Sequence, residues 1–455
     1  MVSTLTTADT QIPAASPKGD RIAVLLMGYG EVENYEDFAN YNEQALNLLT
    51  AKFAPVPTWV YPPLAKLLAA FDLHEWSHQH GQFISPHNAI FEQQRAGVET
   101  KLQETWGDRV QVFKAFNFCQ PFLPDQVLEE IKAQGFSKIL IYPLLVVDSI
   151  FTSGIALEQV NQALARATEE EHWVQGVRYI PSFYNEPDYI NLLVQLVEEA
   201  VDQKLAQAYL PSQIGIILMN HGCPFEAKGF TSGIDESQSL YDLVRERLIH
   251  RFPLISVGWL NHQTPLIKWT QPNADLAVRN LIDLGAKAIV MMPIGFATEN
   301  HETLLDVEHI IEQVSRRHPQ VTYVQMPCVN DHPVFLDMVA RWAETHIADL
   351  MEAEPRRVKP GLAAQVQAAH SPGHSHGPGS SHSHDHHSHG SSAGHSHGSS
   401  AGHSHGSSAD HSHGSSAGHS HGSSAGHSHD HPSHDPGHSH SSHSHSSDTD
   451  RTHSH

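Results

Sequence analysis

The chain has 455 residues, 27 Lys and Arg against 50 Asp and Glu, a formal charge of -23, and three cysteines. That acidity excludes a nucleic-acid binder, whose phosphate partner demands a basic surface, and it fits a protein that handles cations or small molecules. Cys119, Cys223 and Cys328 are too few and too scattered for a disulfide framework or a cysteine zinc site, which points to a reducing compartment. The N-terminus lacks the basic-then-apolar pattern of a signal peptide. The longest apolar run, Ile139 to Val147, is far shorter than a bilayer requires. A cytoplasmic protein with no integral membrane segment is expected, with roughly 350 residues available for one large or two modest cores.

In chain order, residues 1–20 are small and polar and are predicted to be loose. IAVLLMGYG, Ile22 to Gly30, is a continuous apolar run ending in glycines, as in a buried parallel strand entering a loop. Helical patterns run from Tyr35 to Phe53 and from His87 to Trp106. A strand near Val110 to Ala115, a helix from Pro124 to Ala133, a strand at KILIYPLL and a helix from Gly154 to Arg166 come next. This alternation predicts an α/β fold with doubly wound, parallel, flavodoxin-like sheets. The second half repeats the first. IGIILMNHGCP lies over IAVLLMGYG, setting Met219 on Met27, His221 on Tyr29 and Gly222 on Gly30, and AIVMMPIGF lies over KILIYPLLV, with Pro293 on Pro143. Helices at Ser237 to Arg251 and Ala274 to Leu284, a strand LISVGW and a last helix, Pro333 to Met351, complete it. The expected division is a flexible 1–20, a first half 21–185, a second half 186–352 and a disordered tail 353–455.

Two such halves enclose a cleft lined by the C-terminal strand ends. His221 ends the opening strand of the second half, where Gly222 lets the backbone turn away; its imidazole can serve as a neutral nitrogen ligand or as a base near neutral pH. MMPIGFATENHETLLDVEH, Met291 to His309, turns a strand directly into a helix. Asn300 is the expected N-cap, and Glu302, Asp306 and His309 stand at i, i+4 and i+7 on one face, with Leu304, Val307 and Ile311 toward the core. Taken alone, that ladder reads as a solvated helix face. With His221 opposite, it becomes a nitrogen and a carboxylate converging on one volume, a pair suited to a borderline divalent ion with open positions. No GxGxxG or GxxxxGK[ST] occurs where a strand meets a helix, so nucleotide binding has little support. His74, His78 and His80 fit a solvated segment better than a ligand set. Trp259, Phe83 and Phe296 could stack on a flat ligand, although such aromatics are more often core.

These segments, together with LLMGYGEVENYEDFANY, FISPHNAIFEQQ, VFKAFNFCQPFLPDQVLEEI and VGWLNHQTP, resemble the ferrochelatase family from about Ile22 to Ile347. The resemblance implies a class II metal chelatase that inserts Fe(II) into protoporphyrin IX in heme biosynthesis, with two flavodoxin-like halves around a porphyrin cleft. It carries catalytic roles onto His221 and Glu302 and metal ligation onto His221, Glu302 and Asp306. Tyr29, Ser85, Ser149 and Trp259 are the candidate contacts to the macrocycle. The divalent metal, Fe2+ or else Co2+, Ni2+ or Zn2+, is a substrate, and no permanently bound cofactor is expected. Three cysteines cannot supply the iron-sulfur cluster of some relatives. The chain departs from the family at Asn220 and Gly222 around the histidine, at Leu144 in the first-half loop, and at Ile310, where the family's acidic ridge would continue.

From His370 onward the sequence is almost entirely Gly, Ser, Ala, Asp and His, holding 26 of the 39 histidines and five tandem GSSAGHSH-type units, one carrying Asp410. Such a segment cannot bury a core and is predicted to be disordered. Its His-X-His pairs, among them His395 with His397 and His403 with His405, favour Co, Ni, Zn or Cu over Fe(II). A metal store or delivery arm is the functional expectation. The tail also supports two alternatives: a cobalt or nickel chelatase for sirohydrochlorin or a related ring, and a non-catalytic metal buffer or chaperone.

Overall fold

The computed structural model describes residues 21–50, 56–79, 83–169, 172–225, 231–261 and 268–352. The expectations for residues 1–20, for His80 and for the tail histidines His395, His397, His403 and His405 lie outside the described residues. The first sheet has the order β2-β1-β3-β4, from β1 (Ile22–Gly28), β2 (Val110–Phe116), β3 (Lys138–Pro143) and β4 (Gly176–Tyr179). The second, β6-β5-β7-β8, uses β5 (Ile214–His221), β6 (Leu254–Leu260), β7 (Ala288–Pro293) and β8 (Thr322–Gln325). All pairings are parallel. The internal repeat keeps its register at the strand ends: Met27 sits beside Pro143, and Met219 beside Pro293.

The central strands are apolar on both faces because both faces are covered. Val24, Leu26, Leu140 and Tyr142 of the first sheet and Ile216, Leu218, Val290 and Met292 of the second feed one core that also takes in α3 (His87–Trp106), α6 (Pro187–Lys204), α7 (Ile234–Leu248) and α10 (Pro333–Glu352). The alternate residues Leu25, Met27 and Ile141 pack outward against α4 (Pro124–Ala133) and α5 (Ile155–Glu169). Ile217, Met219 and Met291 do the same against α8 (Ala274–Asp283) and α9 (Val307–Arg317). Thus a shared apolar layer joins the halves. The last helix of the second half in chain order also crosses back: Asp337 pairs with Lys101, and Thr105 donates to Glu344 at 2.7 Å.

The predicted helix from Tyr35 to Phe53 is not regular: a 3-10 turn, Tyr35–Asp37, leads into α1 (Phe38–Ala45) and then a π-helical turn, Leu46–Thr50, and residues 51–53 lie outside the described residues. An additional helix, α2 (Tyr61–His74), comes after it. Val32, Phe38, Trp76 and Leu305 form a small separate cluster through which this region meets the second half. Among the described residues no helix is long and apolar enough to cross a membrane.

Candidate active site

His221 is the last residue of β5, and its strand neighbours are fixed by pairing with β6 on one side and β7 on the other. Gly222 then turns the chain, donating its N–H to the Leu260 carbonyl at 2.6 Å. A Cβ at Gly222 would stand 2.6 Å from that carbonyl oxygen and overlap the Asn261 amide, so only glycine lets the strand end here. On the facing element, Asn300 caps the segment after β7. Its Oδ1 accepts from the Thr303 N–H and Thr303 Oγ1 accepts from the Asn300 N–H, both at 3.0 Å. The expected cap therefore forms. A single π-helical turn, Glu302–Asp306, then leads into α9.

That wider turn changes the phase of the helix face. Glu302 is buried and Asp306 partly buried, but His309 is exposed and contacts Gln313, so it does not join the ladder expected from regular α-helical spacing. Leu305 and Val307 are the buried apolar residues, while Leu304 and Ile311 are only half-buried. Among the described residues no group of three or more His, Cys, Asp or Glu side chains is arranged to hold an ion, so His221, Glu302 and Asp306 do not form a three-ligand set.

His221 and Glu302 do converge: Nε2 and Oε1 are 3.5 Å apart. Two ligand atoms bound about 2.1 Å from one ion at a tetrahedral angle stand about 3.4 Å apart. The pair therefore has the separation at which a single divalent ion can bridge it. Burial pushes the His221 imidazole down to about 4, the Gly222 backbone opposes that shift, and the charge of His301 adds to it. His221 is thus neutral at physiological pH, with a lone pair available for a metal or a proton.

The pair opens onto a cleft built from both halves. Gly28, Tyr29, His87, Phe91 and residues 144–146 line it from the first half, and Phe296, Ala297, Thr298 and Asn300 from the second. The rings of Phe151 and Phe296 flank His221 at 5.6 and 6.4 Å. Tyr29 lines the same wall, and its hydroxyl is held far above the usual range by burial and then by Glu302 and Glu31. The other candidate macrocycle contacts are not on this wall. Ser149 is buried as the cap of the π-helical turn Ile150–Gly154, sharing its hydroxyl with Thr152 at 3.0 Å. Trp259 is buried beside Asn220 in the strand pairing. Ser85 lies behind the wall and donates to Glu31. Phe83 packs on Trp76, 5.1 Å away, and His74 is exposed at the end of α2.

Two residues that no sequence motif singles out complete the site. Glu31, in the loop after β1, is buried and lines the cavity. Its carboxylate meets His301 Nδ1 at 2.5 Å and the His301 N–H at 3.1 Å. Burial alone would raise the Glu31 carboxyl, but His301 outweighs it and holds it low. Burial likewise works against a charged His301, yet Glu31, with Glu302 and Asp306 behind it, holds the imidazolium up at about 10. Asp306 is pushed up to about 7, first by burial and then by Glu302, Glu75 and Glu31, against the pull of His301. The sequence signal for both residues is their place beside Gly30 and Glu302.

A profile of the ferrochelatase family matches residues 21–347. The chain belongs to the ferrochelatase family. The ferrochelatase of Gloeothece citriformis is 26% identical over 332 residues, covering 70% of this chain and 81% of that protein. That of a Picosynechococcus strain is 26% identical over 345 residues, covering 74% and 84%. Among solved structures, SirB from Bacillus subtilis with Fe3+ is similar at 11% identity and a TM-score of 0.40, over 72% of this chain and 96% of that one. As a member of this family the protein is a lyase of the metal-chelatase type, with a tetrapyrrole and a metal ion as its substrates.

Proposed function

We propose that this ferrochelatase inserts Fe(II) into protoporphyrin IX through His221 and Glu302. The observation that carries the reading is the 3.5 Å imidazole–carboxylate pair at the wall of a cleft, flanked by Phe151 and Phe296. A flat macrocycle needs apolar and aromatic walls, and Phe91, Phe151 and Phe296 line this cleft. Insertion requires bending the ring so that its nitrogen lone pairs project, stripping water from the ion and removing two N–H protons. Binding energy along the walls supplies the distortion. A neutral imidazole and a carboxylate side by side are the two groups that can receive the ion or the protons, and each insertion releases two protons for one dication taken up. Asp306, one turn beyond Glu302, then exchanges protons or ions with the cleft mouth, and Tyr29 contacts the ring. Ser85, Ser149 and Trp259 act behind that surface rather than on the substrate. The histidine repeats serve as a metal store feeding the cleft, and the sparse cysteines support a cytoplasmic setting.

The tail favours a second reading, a cobalt or nickel chelatase for sirohydrochlorin, because imidazole pairs prefer those ions to Fe(II). Assaying the full chain with protoporphyrin and sirohydrochlorin against Fe(II), Co(II), Ni(II) and Zn(II) separates the two. The proposal expects protoporphyrin with Fe(II) to give the highest kcat/KM; a clear preference for sirohydrochlorin with cobalt or nickel overturns it. Ending the chain after Pro360 should leave turnover intact at saturating metal, whereas a metal buffer would lose its capacity.

A further inference from the structure

The turn that carries Glu302 is tied to the other half of the molecule. Resting on the chelatase reading above, we propose that Glu31 and His301 are positioning residues: Glu31 caps this turn from the first half and so fixes the Glu302 carboxylate against His221.

The first backbone N–H groups of a helical segment have no partner within it. Here Asn300 takes the N–H groups of Thr303 and Leu304, at 3.0 and 3.1 Å. The N–H of His301 goes instead to Glu31 Oε2 at 3.1 Å, and its ring Nδ1 to Glu31 Oε1 at 2.5 Å. One carboxylate thus grips both the backbone and the side chain of the residue immediately before Glu302. Glu31 is in turn held rigid. Asn88 on α3 accepts from its N–H at 3.0 Å and donates to its carbonyl at 2.7 Å, and Ser85 donates to its carboxylate. On the other side, the His301 ring lies 5.7 Å from Trp76.

This arrangement is an expensive way to gain stability. A buried ion pair loses much of its attraction to desolvation, and well-packed apolar residues often serve as well or better. What the pair supplies is geometry, because a rotation at His301 swings Glu302 directly. The same loop is clasped again from α3. Gln94 donates to the carbonyls of Ala297 and Asn330 at 3.1 and 2.9 Å and accepts from Thr298 at 3.0 Å. The cleft face of the second half is therefore set by polar contacts from the first.

The test uses the full chain and the variants Glu31→Gln, His301→Gln, the double variant and Glu31→Asp. Heme formation is followed under anaerobic conditions, protoporphyrin affinity by fluorescence quenching, and the site by crystallography. Each single substitution is expected to lower kcat by about 10- to 100-fold while leaving the protoporphyrin Kd within about twofold. The double variant should fall no further than the worse single one, Glu31→Asp should recover part of the rate, and the His221–Glu302 separation should open. A kcat within about twofold of wild type in the single variants, effects that multiply in the double one, or an unmoved Glu302 overturns the proposal. Should Glu31→Gln not fold, His301→Gln carries the test, since it keeps a donor at a partly exposed position. A wild-type chain without turnover, alongside a displaced Glu302 in the variants, would refute the chelatase reading and not the positioning.

Discussion

At the scale of single residues the site concentrates unfavourable charge, and that has a measurable consequence at Asp306. Its carboxyl stands at about 7 in the folded protein, above the ordinary 3.8. The folded chain therefore holds this proton more tightly than the unfolded one. Stability from this group is greatest below about pH 4, declines as pH rises, and the full penalty is present above about pH 7. Asp306→Asn is thus expected to stabilise the protein by about 1–3 kcal/mol at pH 8 and by nearly nothing at pH 4. Thermal melts of both proteins across that range check it, and a difference independent of pH would contradict it. The convergence of His221 and Glu302 is legible in the sequence, since a strand end followed by glycine and a capped turn after the partner strand both face the cleft. Glu31 with His301 is not, because the partners are 270 positions apart and only the packing of the halves brings them together. His309 departs from its expected place for a local reason: a π-helical turn precedes it, and a 3.6-residue period no longer gives the face.

At the scale of elements, the repeated strand-and-turn unit is the device that presents chemistry to the cleft. Gly222 ends β5 where a side chain would meet the Leu260 carbonyl and Asn261. Gly222→Ala should cost about 1–3 kcal/mol in stability through overpacking and lower chelation by shifting His221. Urea titration and turnover assays test the two effects, and an alanine variant equal to wild type in both would show that the turn has room to spare. The long central strands and most helices are legible from unbroken apolar runs and helical spacing. The strands β4 and β8 are not, since four residues with mixed burial leave too short a pattern. Nor is α2, whose Leu67 and Phe71 face solvent and blur any amphipathic signal.

At the scale of the whole molecule, two copies of one topology share an apolar layer and leave a cleft where their strand ends meet. The repeat in the sequence foretells this, since Met27 and Met219 hold the same place in each sheet. It does not foretell that α10 returns to the first half, because chain order carries no record of which core closes over a helix. The central proposal is that the imidazole of His221 and the carboxylate of Glu302, 3.5 Å apart, act together on a metal entering a tetrapyrrole. The most direct measurement is anaerobic heme formation from Fe(II) and protoporphyrin by wild type, His221→Ala and Glu302→Gln, each first shown to be folded by circular dichroism. The account predicts turnover in the wild type and a loss of about 100-fold or more in each variant. Wild-type rates in His221→Ala would contradict it.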